Sequence, residues 1–125
     1  MDSRYLPVIT RQYSTRVAVD SISRIVGVGR KVYAYADDGM YEYCGKVKDA
    51  WQYLNEDVFY SCLERCIINF AKVKVIRGNT IQFQDNTTMA LNRDAIARTR
   101  RAYNRFIMES CRGPVRMEEG AEQAL

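Results

Sequence analysis

Apolar positions in the front two-thirds of the chain follow the two-residue period of strands. Thr15 to Val19 and Ile22 to Val28 are rich in β-branched residues, and Lys31 to Ala36 runs into Asp37-Asp38-Gly39 before Met40 to Cys44, which predicts a hairpin. Tyrosines recur at every second position in Tyr33, Tyr35, Tyr41 and Tyr43, so one strand face is aromatic and one of the two faces should be core. Val47, Ala50, Trp51 and Leu54 then switch to a spacing of i, i+3, i+4, i+7, which predicts a short helix with Trp51 as a core anchor. Strand patterning resumes at Arg65 to Asn69 and continues through Lys72 to Ile76, Thr80 to Gln84 and Thr88 to Leu91. Turns at Arg77-Gly78-Asn79 and Asp85-Asn86 make this an antiparallel meander.

A second helix is predicted to begin at Asn92, an N-cap residue with Asp94 in the first turn and Leu91 placed to pack on Ile96. Ile96, Tyr103 and Ile107, helped by Ala102 and Phe106, form its apolar stripe, while Arg98, Arg101 and Arg105 line another face. Gly113-Pro114 should stop the helix, leaving an acidic tail with Glu118, Glu119 and Glu122. The expected organisation is an N-terminal arm at 1–14, one folded domain at 15–108 and a flexible acidic tail at 109–125.

Charge sharpens this picture. Five arginines (Arg93, Arg98, Arg100, Arg101, Arg105) face the single acid Asp94 within residues 92–107, a surplus of +4 that equals the net charge of the whole chain. A patch so concentrated suits a polyanion, because counterion release depends on local cation density; a solvated helix face is the alternative. The 125 residues, 47% of them hydrophobic, suffice for one core. Neither a membrane span nor a basic-then-apolar leader is evident, so a cytoplasmic location is expected. The four cysteines are read as reduced, with Cys62 and Cys66 as ordinary buried thiols and not as metal ligands.

Catalytic chemistry finds little support. The chain has no histidine, which removes the usual general base and the usual partner of a nucleophilic serine or cysteine. Asp37, Asp38, Glu56 and Asp57 sit in turn-like contexts without an acid/base pattern. Gly27-Val28-Gly29-Arg30-Lys31 lies between strands with no helix behind it, so it is not a nucleotide loop. It reads either as a plain strand connection or as a mobile basic loop able to approach a nucleic-acid backbone.

From about Arg16 to Ile107 the chain resembles the LytTR DNA-binding domains of bacterial response regulators that control virulence, competence and bacteriocin genes. The resemblance rests on the order of elements: Asp20-Ser21-Ile22 opening a strand, a basic loop, a hairpin, a short helix, the run from Phe59 to Asn69, a second hairpin, and Asn92-Arg93. In the family the central run usually reads Phe-x-Arg-x-His-Arg-Ser-x-x-Val-Asn. Here only its ends survive, as Phe59 and Ile68-Asn69; Ser61 replaces the first arginine, and Leu63-Glu64-Arg65 stand where His-Arg-Ser is usual.

The resemblance implies a mainly β fold with short helices, an elongated antiparallel β sandwich with a C-terminal helix. It also implies a non-enzymatic regulator that binds double-stranded DNA through loops in two successive major grooves. By position, the first loop is Gly29-Arg30-Lys31 with Arg30 as the base contact, the second is Asn92-Arg93, and Asn69 touches the backbone between them. Arg65 offsets the unfavourable Glu64, and Arg98 and Arg101 extend the basic surface. The structural alternatives are a loop cation for Arg30, a strand-end turn residue for Asn69 and a helix-start arginine for Arg93. Promoter repeats, a second copy on DNA and a restraining membrane protein are the implied partners; no cofactor, metal or small-molecule substrate is. A receiver domain does not fit ahead of the region, so the chain is read as a stand-alone regulator or a fragment. The rewritten central run leaves a second function open, a degenerate protein-interaction module without specific DNA binding.

Overall fold

A computed structural model describes residues 4–111. Within them ten strands form three antiparallel sheets, followed by one long helix. β1 (Tyr5–Ile9) and β2 (Ser14–Ala18) make a two-stranded ribbon, turned at Thr10, whose hydroxyl accepts from the N–H groups of Gln12 and Tyr13 at 3.1 Å each. The central sheet holds β3 (Ile22–Val28), β4 (Lys31–Ala36), β5 (Gly39–Cys44), β6 (Phe59–Leu63) and β7 (Cys66–Asn69) in the order β5-β4-β3-β7-β6. β8 (Val73–Arg77), β9 (Thr80–Phe83) and β10 (Thr88–Ala90) form the third sheet, and α1 spans Arg93–Ser110.

The central sheet has a core on each side. One core packs Leu6, Val8 and Val17 of the ribbon against Ile25, Val32, Ala34 and Ile67, closed by Val47, Ala50 and Leu54. The other packs Cys62, Cys66 and Ile68 against Val73, Ile81 and Phe83 of the third sheet, with Leu91, Ala95 and Ile96 of the helix start. Ile67 and Ile68 are neighbours in the chain yet belong to different cores, because successive strand residues point to opposite faces. That explains why β7 is buried at all four positions and reads as an unbroken run rather than an alternation.

Several elements differ in detail from the sequence expectation. The segment Val47–Tyr53 is a 3-10 helix, with Val47 and Ala50 one turn apart on its buried side, and Trp51 is only half-buried at the rim of the core. The strand opened at Arg65 starts one residue later, because Glu64 and Arg65 form the tight turn between β6 and β7. In β4 the core side is Val32 and Ala34, not the tyrosines. Across the ladder Val32 faces Tyr43 and Ala34 faces Tyr41, so of the four hairpin tyrosines it is Tyr41 and Tyr43 of β5 that pack on that core. The predicted stop at Gly113-Pro114 and the acidic residues Glu118, Glu119 and Glu122 lie outside the described residues.

Candidate nucleic-acid interface

The β3–β4 connection is a two-residue turn, Gly29-Arg30, closed by the pairing of Val28 with Lys31. Gly29 has φ +61°, a left-handed conformation that costs a side-chain-bearing residue energy, so glycine is needed there. Both turn carbonyls are engaged. An Arg65 Nη2 hydrogen is donated to the Gly29 carbonyl, and the Gly45 N–H is donated to the Arg30 carbonyl at 3.1 Å. Three loops distant in sequence therefore meet: the β3–β4 turn, the stretch from Gly45 into the 3-10 helix, and the β6–β7 turn.

They enclose an open cleft of about 820 Å³ whose walls carry Arg30, Lys31, Lys46, Lys48, Arg65 and Glu64. Lys31 is paired with Glu42, whose hydrogen bond and charge raise the lysine pKa above its usual 10.5. Among the described residues the ion pairs are Lys31–Glu42 and Lys72–Asp37, so Arg30, Lys46, Lys48 and Arg65 carry charge with no salt-bridged acid. Lys46 and Lys48 were missing from the sequence expectation. Their signal, two cations flanking Val47, was absorbed into the apolar spacing of the adjoining helix.

A second basic region lies on α1. Asn92 caps it: its Oδ1 accepts from the Ala95 N–H at 2.8 Å, and Leu91 and Ile96 are both buried beside it. Arg93 is thereby held at the first helical position, exposed. Ala95, Ile96 and Thr99 turn inward, while the rings of Tyr103 and Phe106 pack on Phe70 with centroids 5.3 and 5.5 Å away. Arg98, Arg101 and Arg105 occupy the exposed side, as their spacing predicts. Arg100, outside that row, donates to the Gly78 carbonyl.

Asn69, expected at the DNA backbone, lies inside the domain. It is 2% exposed; its Nδ2 donates to the Ile22 carbonyl at 2.8 Å, and its Oδ1 accepts from the Ala71 N–H at 2.9 Å. The side chain holds the end of β7 to β3 and caps the short turn that follows, so it presents no donor to a phosphate outside. Of the eight expected residues, Arg30, Lys31 and Arg65 are gathered in the cleft and Asn92, Arg93, Arg98 and Arg101 on the helix, while Asn69 is interior.

Nothing among the described residues groups His, Cys, Asp or Glu side chains as a metal site. The Cys62 thiol is buried and donates to the Cys66 carbonyl at 3.6 Å; the Cys66 thiol beside it and burial push its pKa up, so it remains protonated. No helix of the described residues is long and apolar enough to cross a membrane.

Compared with protein-family models, residues 13–104 match the LytTr DNA-binding domain. Curated protein sequences give no match. Among solved structures, a LytTr DNA-binding domain from Bacillus cereus superposes with a TM-score of 0.67 at 14% identity, covering 81% of this chain and 97% of that one. At that identity the likeness concerns the fold.

Proposed function

The chain belongs to the LytTr DNA-binding domain family, and we propose that it binds a specific duplex site and thereby regulates transcription. The observation that carries this reading is the convergence of exposed cations on the three loops around Arg30. In the proposed mode, the Gly29-Arg30 turn and the Asn92-Arg93 helix start enter successive major grooves. Arginine grips guanine O6 and N7 through two parallel hydrogen bonds, so Arg30 and Arg93 supply readout. Lys31, Lys46, Lys48, Arg98 and Arg101 supply affinity through phosphates, which carry no sequence information. A promoter carrying a direct or imperfect repeat is the matching partner and would seat a second copy.

The test is selection of bound genomic fragments followed by binding titrations at several salt concentrations, with Arg93→Ala alongside. Specific binding with a steep salt slope, and a loss of about 1 to 3 kcal/mol with relaxed base preference in the variant, is the expected result. Equal binding by variant and parent would remove Arg93 from the readout. Glu64 on the cleft wall favours one other reading, a protein-interaction module. That reading gains if duplex binding is absent or indifferent to sequence.

A further inference from the structure

We propose that Arg65 is a positioning residue: it holds the Gly29-Arg30 turn in place, and does so instead of gripping a phosphate itself. Two independent features of the structure lead there. The first is the hydrogen bond from its guanidinium to the Gly29 carbonyl. The second is the path of its stem. A Cβ placed on Gly27 would lie 3.5 Å from Arg65 Nε and 3.6 Å from Arg65 Cβ, and 2.7 Å from Val47 Cγ2. The arginine therefore lies along the bare backbone of β3, and Gly27 leaves the room it occupies.

The base of that side chain is fixed as well, since the Arg65 carbonyl accepts from the Gly27 N–H at 2.9 Å. From the opposite side the Gly45 N–H holds the Arg30 carbonyl. A two-residue turn has few ways to move once both of its outward carbonyls are held. Arg30 is presented from a fixed base, and binding need not order that backbone at the moment of contact, which is how preorganisation raises affinity. A glycine-led turn without such a strap would sample many conformations. Gly27, Gly29 and Arg65 thus form one device, spread over 39 positions of the chain.

The inference builds on Arg30 as a base contact, and two measurements keep the two ideas separable. Arg65→Met retains the stem over Gly27 and removes only the guanidinium; Arg65→Gln serves if thermal melting shows the first variant to be poorly folded. In the free protein, amide order parameters and hydrogen exchange at Arg30 and Lys31 report the turn directly. Looser, faster-exchanging amides are expected in Arg65→Met, and unchanged amides overturn the proposal whatever the DNA result. On DNA, a double-mutant cycle with Arg30→Ala isolates the coupling. At the selected site Arg65→Met should lose about ten-fold in affinity when Arg30 is present and less than about two-fold when it is Ala, as expected for residues acting through one another. The salt slope should stay near that of the parent. A slope shallower by about 1, with additive losses, identifies Arg65 as a phosphate contact and overturns the proposal. If the parent itself shows no preference for any selected duplex, the reading of Arg30 falls, and the free-protein amides alone decide whether Arg65 holds the turn.

Discussion

Replacing Asn69 by alanine should damage the fold and not the DNA contact. The side chain bridges two backbone groups, the Ile22 carbonyl at 2.8 Å and the Ala71 N–H at 2.9 Å. Ile22 has no exposed surface, so its carbonyl loses a donor that water cannot replace, at a cost of about 1 to 3 kcal/mol. Ala71 is near solvent, and losing the cap on its N–H costs about 1 kcal/mol, typical of a capping side chain. The sum, roughly 2 to 4 kcal/mol, is a large part of the 5 to 15 kcal/mol that holds a domain together. For a domain of this size it corresponds to a melting temperature lower by roughly 10 °C or more. Asn69→Asp should cost at least as much: it keeps an acceptor for Ala71 but turns a carboxylate oxygen towards the Ile22 carbonyl. Burial raises that carboxyl's pKa, so this variant should lose stability as pH rises through it. Circular dichroism melts paired with duplex titrations, corrected for the folded fraction, separate the two roles. An Asn69→Ala protein that melts within about 2 °C of the parent yet binds duplex ten-fold more weakly with a shallower salt slope would refute the reasoning.

Other outcomes follow from single contacts. Thr99 is fully buried and its Oγ1 lacks a hydrogen-bond partner, so Thr99→Val should raise stability by about 1 kcal/mol; a clear fall in melting temperature would show that the hydroxyl is satisfied. Arg24 lies over the Tyr35 ring at 4.1 Å and the Phe83 ring at 5.0 Å and donates to Thr87 Oγ1, linking the central and third sheets. Arg24→Ala should therefore cost about 1 to 2 kcal/mol in a denaturant titration, with part recovered by lysine; no loss would discount the stacking. Glu42→Gln removes the acid paired with Lys31 and frees that lysine on the cleft wall, so low-salt duplex affinity should rise several-fold and the salt slope steepen by up to about 1. The Lys31–Glu42 pair raises the lysine pKa, so its contribution is complete below 10.5 and is lost as pH climbs through the raised value; an NMR titration of the lysine side chain in parent and Glu42→Gln follows that shift directly.

Much of the architecture was legible because it rests on local chemistry. The Asp37-Asp38-Gly39 turn, the Asn92 cap and the arginine row each depend on residues within a few positions of one another, and each forms where the pattern puts it. β1 escaped notice because its only apolar alternation, Leu6 and Val8, is interrupted by Pro7, which a two-stranded ribbon tolerates but a central strand would not. β6 escaped for a different reason. Its buried residues Phe59 and Cys62 are three apart, since the register shifts between Ser61 and Leu63 and breaks the period of two. The cleft could not be read at all from spacing: Arg30, Lys46 and Arg65 come together only through the pairing of β3 with β4 and β7. Asn69 shows the opposite limit. An asparagine at a strand end can bond outward or inward, and only the position of the Ile22 carbonyl decides.

The double-sided central sheet has a consequence for how the domain bears damage. β3 and β7 form a wall shared by two cores, so neither core can loosen without withdrawing support from the strands that back the other. Partial opening, which in many proteins lets one region fray while the rest persists, has no natural seam to follow here. The Gly29-Arg30 turn grows from the end of that wall. Its geometry is thus underwritten by the whole domain, and it should remain sharp until the molecule as a unit gives way.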